Sequence, residues 1–434
     1  MSDAFDLVVV GGGPGGMAAA ATAAEAGIRV CLVDDNPSLG GQIWRSKVGG
    51  GATNREAAEW LQRVQKGRVE RRMGWRAVSV ASAPGQPAVL RIERDGEYVD
   101  IRYSSLIIAT GARELFLPFP GWTLPGVYGA GGLQAFVKSG LNISGKRVVV
   151  AGTGPLLLAV AAGLRHAGAR IVAVVEQAPL RRLARFSLDL LFGHAGKLIE
   201  GAGYGWNMLG TPYRTGSWVV GALGDERLKK VRVSLGAQVV EVEADMLAAG
   251  FHLVPNTELA QLLHCECEGG YVVVDPLQQT SVEGIYCVGE ATGIGGVEKA
   301  QIEGRIAAFA VSGQTDQARS LLRLRSRHMR FVDGLASTFR LRDELRTLAA
   351  NETVVCRCED VSHGSLAVCH SWREAKLHTR CGMGPCQGRI CGPATQFLYG
   401  WEAPRPRPPL FPVDVATLAG SAEQAKAPDK SPAA

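Results

Sequence analysis

The most constraining feature of this chain is a strand, glycine turn and helix signature that occurs twice. Phe5 to Val10 (FDLVVV) is a continuous apolar run without alternation, the pattern of a parallel strand buried on both faces. Gly11-Gly12-Gly13-Pro14-Gly15-Gly16 follows, and an alanine-rich stretch from about Met17 to Ala26 reads as a helix. Gly11, Gly13 and Gly16 fill the G-x-G-x-x-G positions, with Pro14 between them. The first glycine allows the tight turn. The second lets backbone N–H groups approach a pyrophosphate, and the third lets helix and strand pack closely. Phosphate charge then meets the free N–H groups and positive dipole end of the helix. A second strand, Arg29 to Val33, ends in Asp34, where an acid accepts hydrogen bonds from an adenosine ribose. Asp35 reads as a solvated turn residue.

The pattern returns at Lys146 to Ala151, Gly152-Thr153-Gly154-Pro155-Leu156-Leu157, a helix to about Ala167, and Ile171 to Val175 ending in Glu176. Here Leu157 replaces the third glycine, so it pushes the helix outward or fills the groove. Glu176 would repel the 2′-phosphate of NADP. A retained fold with a degenerate NAD(P)H site is favoured over a working NADH site.

Three further segments resemble the disulfide-reductase-like flavoproteins, whose FAD domain is split in sequence. Ser105 to Thr110 (SLIIAT) leads into Gly111, Ile285 to Glu290 (IYCVGE) leads into a glycine-rich turn, and Gly40-Gly41-Gln42 follows the second strand. The resemblance adds Gly41, Gln42, Thr110, Gly111, Gly289 and Glu290 to the FAD contacts. Glu290 stands where that family usually has Asp, and its longer side chain is expected still to reach a ribityl hydroxyl. Between these parts, Arg76 to Tyr103 alternates around Pro84-Gly85 and Asp95-Gly96, as an inserted antiparallel meander does. Trp206 to Trp218 reads as loop into strand, with no chemistry assigned.

The chain has 434 residues, 46% of them apolar and 20% charged, enough for two or three globular domains. Net charge is only +6. The arginine bursts at Arg181, Arg182, Arg185 and at Arg323, Arg325, Arg327, Arg330 lack interleaved aromatics, which argues against nucleic acid. Met1 to Leu7 carries acids where a signal peptide needs bases. Val148 to Leu164 nearly reaches membrane-spanning length, but its Gly-Thr-Gly-Pro interruption divides it into strand, turn and helix. A cytoplasmic protein is expected. Ten cysteines in that setting indicate metal or redox chemistry, not a disulfide framework.

Six of the ten lie between Cys356 and Cys391, after a helical, arginine-rich connector at about 315–348. Cys356-Arg357-Cys358 on a tight turn and Cys381-Gly382-Met383-Gly384-Pro385-Cys386 on a glycine-rich loop can set four thiolates around one centre. Backbone N–H groups and a following helix, Gln387 to Tyr399, stabilise the negative charge. Four thiolates also suit tetrahedral zinc. The uneven spacing, the G-M-G-P insert and the preceding flavin fold favour a 2Fe–2S cluster. Cys391, five residues past Cys386, and Cys369, read as mid-helix, are expected to be core thiols; Cys265 and Cys267 are expected to pack.

VVCRCEDV, SWREAK, TRCGMGPCQGRICG and PPLFPV, with VPNTELAQLL and VGEATGIGGVEKAQIEGRIAA, resemble the alpha (A) subunits of bacterial opine oxidases. Similar subunits occur in hydrogen cyanide synthase and in hetero-oligomeric dye-linked proline or hydroxyproline dehydrogenases. The last module is similar to bacterioferritin-associated-ferredoxin domains, and by that resemblance Cys356, Cys358, Cys381 and Cys386 are the ligands. The implied fold is α/β: two dinucleotide-binding, disulfide-reductase-like domains with a small C-terminal α-helical 2Fe–2S domain. FAD binding is expected from 1–115 and 271–312, with the meander at about 74–105. The NAD(P)-binding-like domain is expected at 116–270, the connector at 313–350, the cluster domain at 351–402, and an extension with a disordered tail at 403–434. The resemblance implies an electron-relaying component of a hetero-oligomer. Its amine substrate, opine, proline, hydroxyproline or glycine-type, is oxidised on a D-amino-acid-oxidase-like beta subunit, and electrons pass to a quinone or other carrier. It leaves open a small gamma subunit, an additional flavin at an intersubunit face, and peripheral contact with the inner face of the membrane. No His, Tyr or Lys constellation marks a catalytic site, and a self-contained NADH-dependent reductase is the alternative.

Overall fold

The computed structural model describes residues 3–45, 54–81, 88–193, 196, 201, 203 and 210–424. These residues form two compact units. One comprises residues up to Gly111, then Pro255–Arg325 and the chain from Arg405 onward; the other comprises Ala112–Val254 and Ser326–Pro404.

The first unit is built on a mixed sheet. Strands β1 (Asp3–Val10), β2 (Val30–Asp34), β3 (Glu70–Met73), β4 (Arg76–Ala81), β5 (Ala88–Arg94) and β6 (Glu97–Ile108) lie in the order β3-β2-β1-β6-β5-β4. β1, β2, β3 and β6 pair in parallel, while β4, β5 and β6 make the antiparallel meander. The β5–β6 turn, Asp95-Gly96, places both residues at positive φ, the requirement of a tight hairpin turn. The Pro84-Gly85 turn lies outside the described residues. Strand Ile285–Cys287 adds in parallel to the C-terminal end of β6, which brings the distant IYCVGE segment beside the first glycine turn.

Helix α1 (Pro14–Glu25) is apolar nearly all round, and nine of its twelve residues are buried, as a helix covered on every side must be. One side faces the sheet. The other faces helix Gly296–Val311, and glycine sets the spacing: a Cβ on Gly304 would come within 2.2 Å of the Gly15 oxygen. Beneath the turn that precedes the later helix lies a closed ionic network. Lys299 and Glu303, one helical turn apart and both 0% exposed, pair at 2.7 Å. Lys299 also donates to the Gly289 carbonyl and Thr292 at 2.8 Å, while Glu303 accepts from the Gly289 N–H and from Arg325. Every charge finds partners, the condition under which a buried pair is tolerated.

The stretch after Pro412 does not match the expected disorder: Val415–Gln424 is helical. Alanine-rich sequence favours a helix, and Arg91 anchors this one by donating to the Thr417 carbonyl at 2.9 Å. Leu410, also buried, donates its N–H to the Val78 carbonyl at 2.8 Å.

The second unit carries a five-stranded parallel sheet in the order Tyr213–Thr215, Arg170–Glu176, Arg147–Gly152, Met246–Gly250, Val127–Gly129. A three-stranded antiparallel layer, from Trp218 to Glu243, packs on it. Residues 351–402 belong to this same unit. Trp122 Nε1 donates to the Val354 carbonyl at 2.6 Å, Arg113 Nε donates to the Arg389 carbonyl at 3.1 Å, and Arg346 stacks on Phe397 at 4.4 Å. Among the described residues no helix is long and apolar enough to cross a membrane.

Lys299→Met leaves Glu303 buried with one cation removed. The variant should lose about 3 kcal/mol of unfolding free energy, measured by urea denaturation. A loss below about 1 kcal/mol would show that the network is not closed to water.

Candidate functional site

At the first glycine turn, three glycines remove side chains for different reasons. A Cβ on Gly11 would lie 2.2 Å from the Ala109 oxygen, and one on Gly16 would lie 1.8 Å from the Gly11 oxygen. These positions are closed by protein. At Gly13, by contrast, nothing is nearer than 4.0 Å, so the missing side chain leaves open space. Gly13 is also the N-cap of α1, with no side chain capping the helix and no acid in its first turn. The helix N-terminus thus presents its dipole to a cradle that a single Cβ would fill, which suits a pyrophosphate.

Asp34 ends β2 and is 7% exposed. It accepts from the Gly12 N–H, from the Asn36 N–H at 2.7 Å and from Asn36 Nδ2 at 2.8 Å. A carboxylate offers about four acceptor positions, so one remains for a ribose hydroxyl. Neighbouring Asp35 has its carboxyl pushed up by burial and by the Asp34 charge. Gly40 donates to the Gly12 carbonyl at 2.9 Å, and Gly41 takes φ +58° with its α-carbon turned to Gly13. Gln42 beside them is exposed.

Thr110 and Gly111 are held by Asn256. Asn256 Nδ2 donates to the Thr110 carbonyl and its backbone N–H to the Gly111 carbonyl, both at 2.9 Å, while Thr110 Oγ1 donates to the Asn256 carbonyl at 2.5 Å. Sequence reading gave Asn256 no role. Gly289, at φ +78°, is fixed from below by Lys299 and Glu303. The Glu290 carboxylate turns back to the next helix and accepts from the Gly295 and Gly296 N–H groups at 3.1 and 2.9 Å. Burial pushes its carboxyl up in pKa. An Asp in its place would be one methylene shorter, so the turn back onto the helix is particular to this residue.

In the second dinucleotide fold, Leu157 is 1% exposed and fills the groove beside Gly250, whose added Cβ would meet Leu157 Cδ2 at 3.5 Å. Glu176 is 0% exposed. It accepts from the Gly154 and Ala178 N–H groups at 2.8 Å and from Thr153 Oγ1 at 3.0 Å. Burial raises its carboxyl to about 7, partly opposed by those hydrogen bonds.

The thiol site lies in the small module of the second unit. The sulfurs of Cys356, Cys381 and Cys391 all fall within 4.8 Å of one another, and all three residues are buried. Hydrogen bonds from Cys381 and Cys391 hold the Cys356 thiol well below its usual range, while the contact with Cys356 pushes both Cys381 and Cys391 up. Other cysteines behave oppositely: burial pushes Cys31 to about 12 and holds Cys265, Cys267 and Cys287 protonated. Cys358 is exposed and Cys386 half-buried, and the two are hydrogen-bonded to each other. A Cβ on Gly384 would reach Cys358 Cβ at 2.3 Å and its Sγ at 3.4 Å, so the G-M-G-P loop wraps this thiol. The loop is seated on Trp372, whose ring an added Cβ would meet at 2.5 Å from Gly382 and 3.0 Å from Gly388.

Two readings of this region change. Cys391 was expected to be a core thiol within a helix starting at Gln387. The helix instead begins at Cys391, because Gln387 and Gly388 both take positive φ and break it. Cys391 therefore enters the thiol group from the first turn of its helix, with its thiol pushed up by contact with Cys356 and Cys381. Cys369 is buried as expected but follows helix His363–Ala367; it is not inside one. Of the four expected ligands, Cys356 and Cys381 lie in the buried group together with Cys391, whereas Cys358 and Cys386 pair with each other and are not part of it. Soft sulfur donors on glycine-rich turns suit zinc or an iron–sulfur centre.

The model of pyridine nucleotide-disulphide oxidoreductases matches residues 5–306. The chain belongs to that family. Relatives within reach of sequence include the hydrogen cyanide synthase subunit HcnB of Pseudomonas protegens, 32% identical across 96% of this chain and 98% of the relative. The A-type component of opine oxidase from Agrobacterium tumefaciens is 30% identical across 98% and 94%. Among solved structures, L-proline dehydrogenase from P. horikoshii superposes with a TM-score of 0.68 at 18% identity, covering 96% of this chain and 79% of that one. The thioredoxin reductase of T. acidophilum gives 0.57 at 20% identity, covering 73% and 100%. Pyridine nucleotide-disulphide oxidoreductases of this fold bind FAD, and the open cradle at Gly13 fits it. The protein is a FAD-dependent oxidoreductase.

Glu176 gives the second fold a pH signature. Its folded carboxyl lies above the usual 4.5, so the native state holds the proton more tightly and stability falls as pH rises from about 4.5 to 7. Glu176→Gln should remove that slope from the melting temperature measured across this range, whatever its uniform cost.

Proposed function

We propose that this chain is the electron-transfer alpha subunit of a hetero-oligomeric, FAD-dependent amine or amino-acid dehydrogenase. The substrate, an opine, proline, hydroxyproline or glycine-type amine, is oxidised on a D-amino-acid-oxidase-like beta subunit. Electrons then pass through FAD and a 2Fe–2S cluster to a quinone or other carrier. The relatives named as subunits support a multi-subunit enzyme. The observation that supports the relay is the thiol group, where the sulfurs of three buried cysteines lie within 4.8 Å of one another.

When bound, FAD takes up electrons in pairs and releases them singly, while a 2Fe–2S centre carries one at a time. The protein's own groups do the holding. The α1 N-terminus and the Gly13 cradle receive the pyrophosphate, Asp34 receives the adenosine ribose, and the Asn256 clamp fixes the Thr110-Gly111 turn. Glu290 orders the Gly295-Gly296 turn in place of reaching outward. In the module Cys356, Cys358 and Cys386 supply three ligands, and Cys381 or Cys391 the fourth. A cluster held here would have the buried Cys356 and Cys381 on its protein side, while Cys358 is the exposed cysteine among these donors. Against the NADH-driven alternative stands the burial of Glu176 and Gln177 at the ribose end of the second fold, 0% and 1% exposed.

Purified protein should contain FAD with iron and acid-labile sulfide, and Cys356→Ser should abolish cluster absorbance and quinone- or dye-linked turnover with FAD still bound. Parallel Cys381→Ser and Cys391→Ser variants identify the fourth ligand by which one loses the EPR signal. Zinc in place of iron, or a full cluster in Cys356→Ser, would overturn the relay. Rapid bleaching of the flavin by NADH in stopped flow would favour the self-contained reductase.

A further inference from the structure

In a doubly wound sheet the nucleotide lies across the carboxyl ends of the strands, with its adenosine ribose at the end of the second strand. In the second unit that place is the meeting of the Gly152–Pro155 turn with Glu176 and Gln177. The groups there are not open to solvent: Thr153 is 7% exposed, Glu176 0% and Gln177 1%. What covers them is the chain's own connector. Gln177 Nε2 donates to the carbonyls of Phe339 and Arg340 at 3.5 and 3.4 Å, and its Oε1 accepts from the Arg342 N–H at 3.0 Å. Thr153 Oγ1 donates to the Phe339 carbonyl at 3.4 Å. One side-chain amide therefore reads the backbone of residues 339–342 as both donor and acceptor, the way a neighbouring strand would.

Side chains complete the fit. Phe339 is 6% exposed and packs edge-on against Phe186, 5.6 Å between ring centres. The Arg342 guanidinium lies over Trp218 at 4.2 Å and donates to the Gln177 carbonyl at 3.5 Å. Three residues on, Leu345 is fully buried in the core of the second fold, and Arg346 stacks on Phe397 of the thiol module. At Gly154, where a pyrophosphate would approach, nothing lies within 4 Å of an added Cβ. The block is at the ribose end.

We infer that the ribose end of the second dinucleotide crevice is a peptide-binding site whose ligand is the chain's own segment Phe339–Arg342, recognised by Gln177 and Thr153. The crevice anchors the connector that carries the thiol module and by the same contacts refuses nicotinamide dinucleotides. Refusal follows from occupancy as well as from Leu157 and the inward Glu176. This goes beyond the relay reading and stands or falls without reference to the metal.

Hydrogen-exchange mass spectrometry on the full holoprotein tests it. Gln177→Ala should speed exchange of the peptide containing Arg342 about tenfold, the effect of losing about one hydrogen bond. Strand Arg170–Glu176 should keep its protection. Gln177→Glu retains the acceptor for the Arg342 N–H and should restore most of the protection at that amide. NADH at about 1 mM, the upper end of ordinary enzyme affinities, should leave exchange in 152–178 and 339–342 unchanged and give no saturable heat with wild type. Unchanged exchange in Gln177→Ala overturns the inference. So does NADH protection of 152–178 in wild type, a measurement that needs no variant to fold.

Discussion

The close approach of backbones around helix α1 is the constraint on which the first unit depends. Gly16 brings the helix onto the turn that starts at Gly11, and Gly304 brings a second helix onto its far side at Gly15. Side chains at these positions would collide with backbone oxygens, which cannot move aside. Because both faces close without side chains, the N-terminus of α1 stands at the end of β1 with its N–H groups directed outward. The same approach draws in residues 289–303, so one packing decision sets both the cradle and the turn beside it. Ala-rich sequence is what such a helix requires, since a larger side chain on either face would part the layers.

Polar groups follow from that packing. The Gly289 turn sits between the buried Val288 and Ala291, and Lys299 and Glu303 fix its backbone groups electrostatically from within. A charge pair of this kind adds little net stability over apolar residues of the same volume. Its value lies in direction, since both backbone groups of Gly289 are fixed at once. The thiol module uses another economy. One indole, Trp372, lies against the turns at Gly382 and Gly388 and the helix start at Gly392, so a module of about fifty residues built on short helices and one two-stranded ribbon can position its cysteines.

Local features were legible in the sequence and long-range ones were not. Apolar strand runs and glycine turns encode their own geometry, so β1, α1, β2 and the second strand–turn–helix unit stand where periodicity puts them. The position of Asp34 at the end of β2, beside the glycine turn, was readable because it is set by counting along one βαβ unit. Glu290 was not, because the helix N-terminus that captures its carboxylate is positioned by Gly304 contacts far away in the chain. Cys391 is buried as a core thiol should be, but its place at the start of the helix was not legible. Gln387 carries no sequence mark of a left-handed backbone, so the helix was run through it and the cysteine was assigned to the interior. Asn256 and Gln177 were silent for the same cause: an amide shows its partner only when the fold supplies one.

The first unit is assembled from three separated stretches of chain, ending with Leu410 and Thr417 bonded to its meander. During synthesis, its leading strands emerge first and must wait. The strand at 285–287 that pairs with β6, and the contacts made by residues past 405, come from stretches far along the chain. The second fold, by contrast, has its whole sheet by residue 250. The first unit therefore closes through contacts between distant parts of the chain, whereas the sheet of the second forms from one continuous stretch.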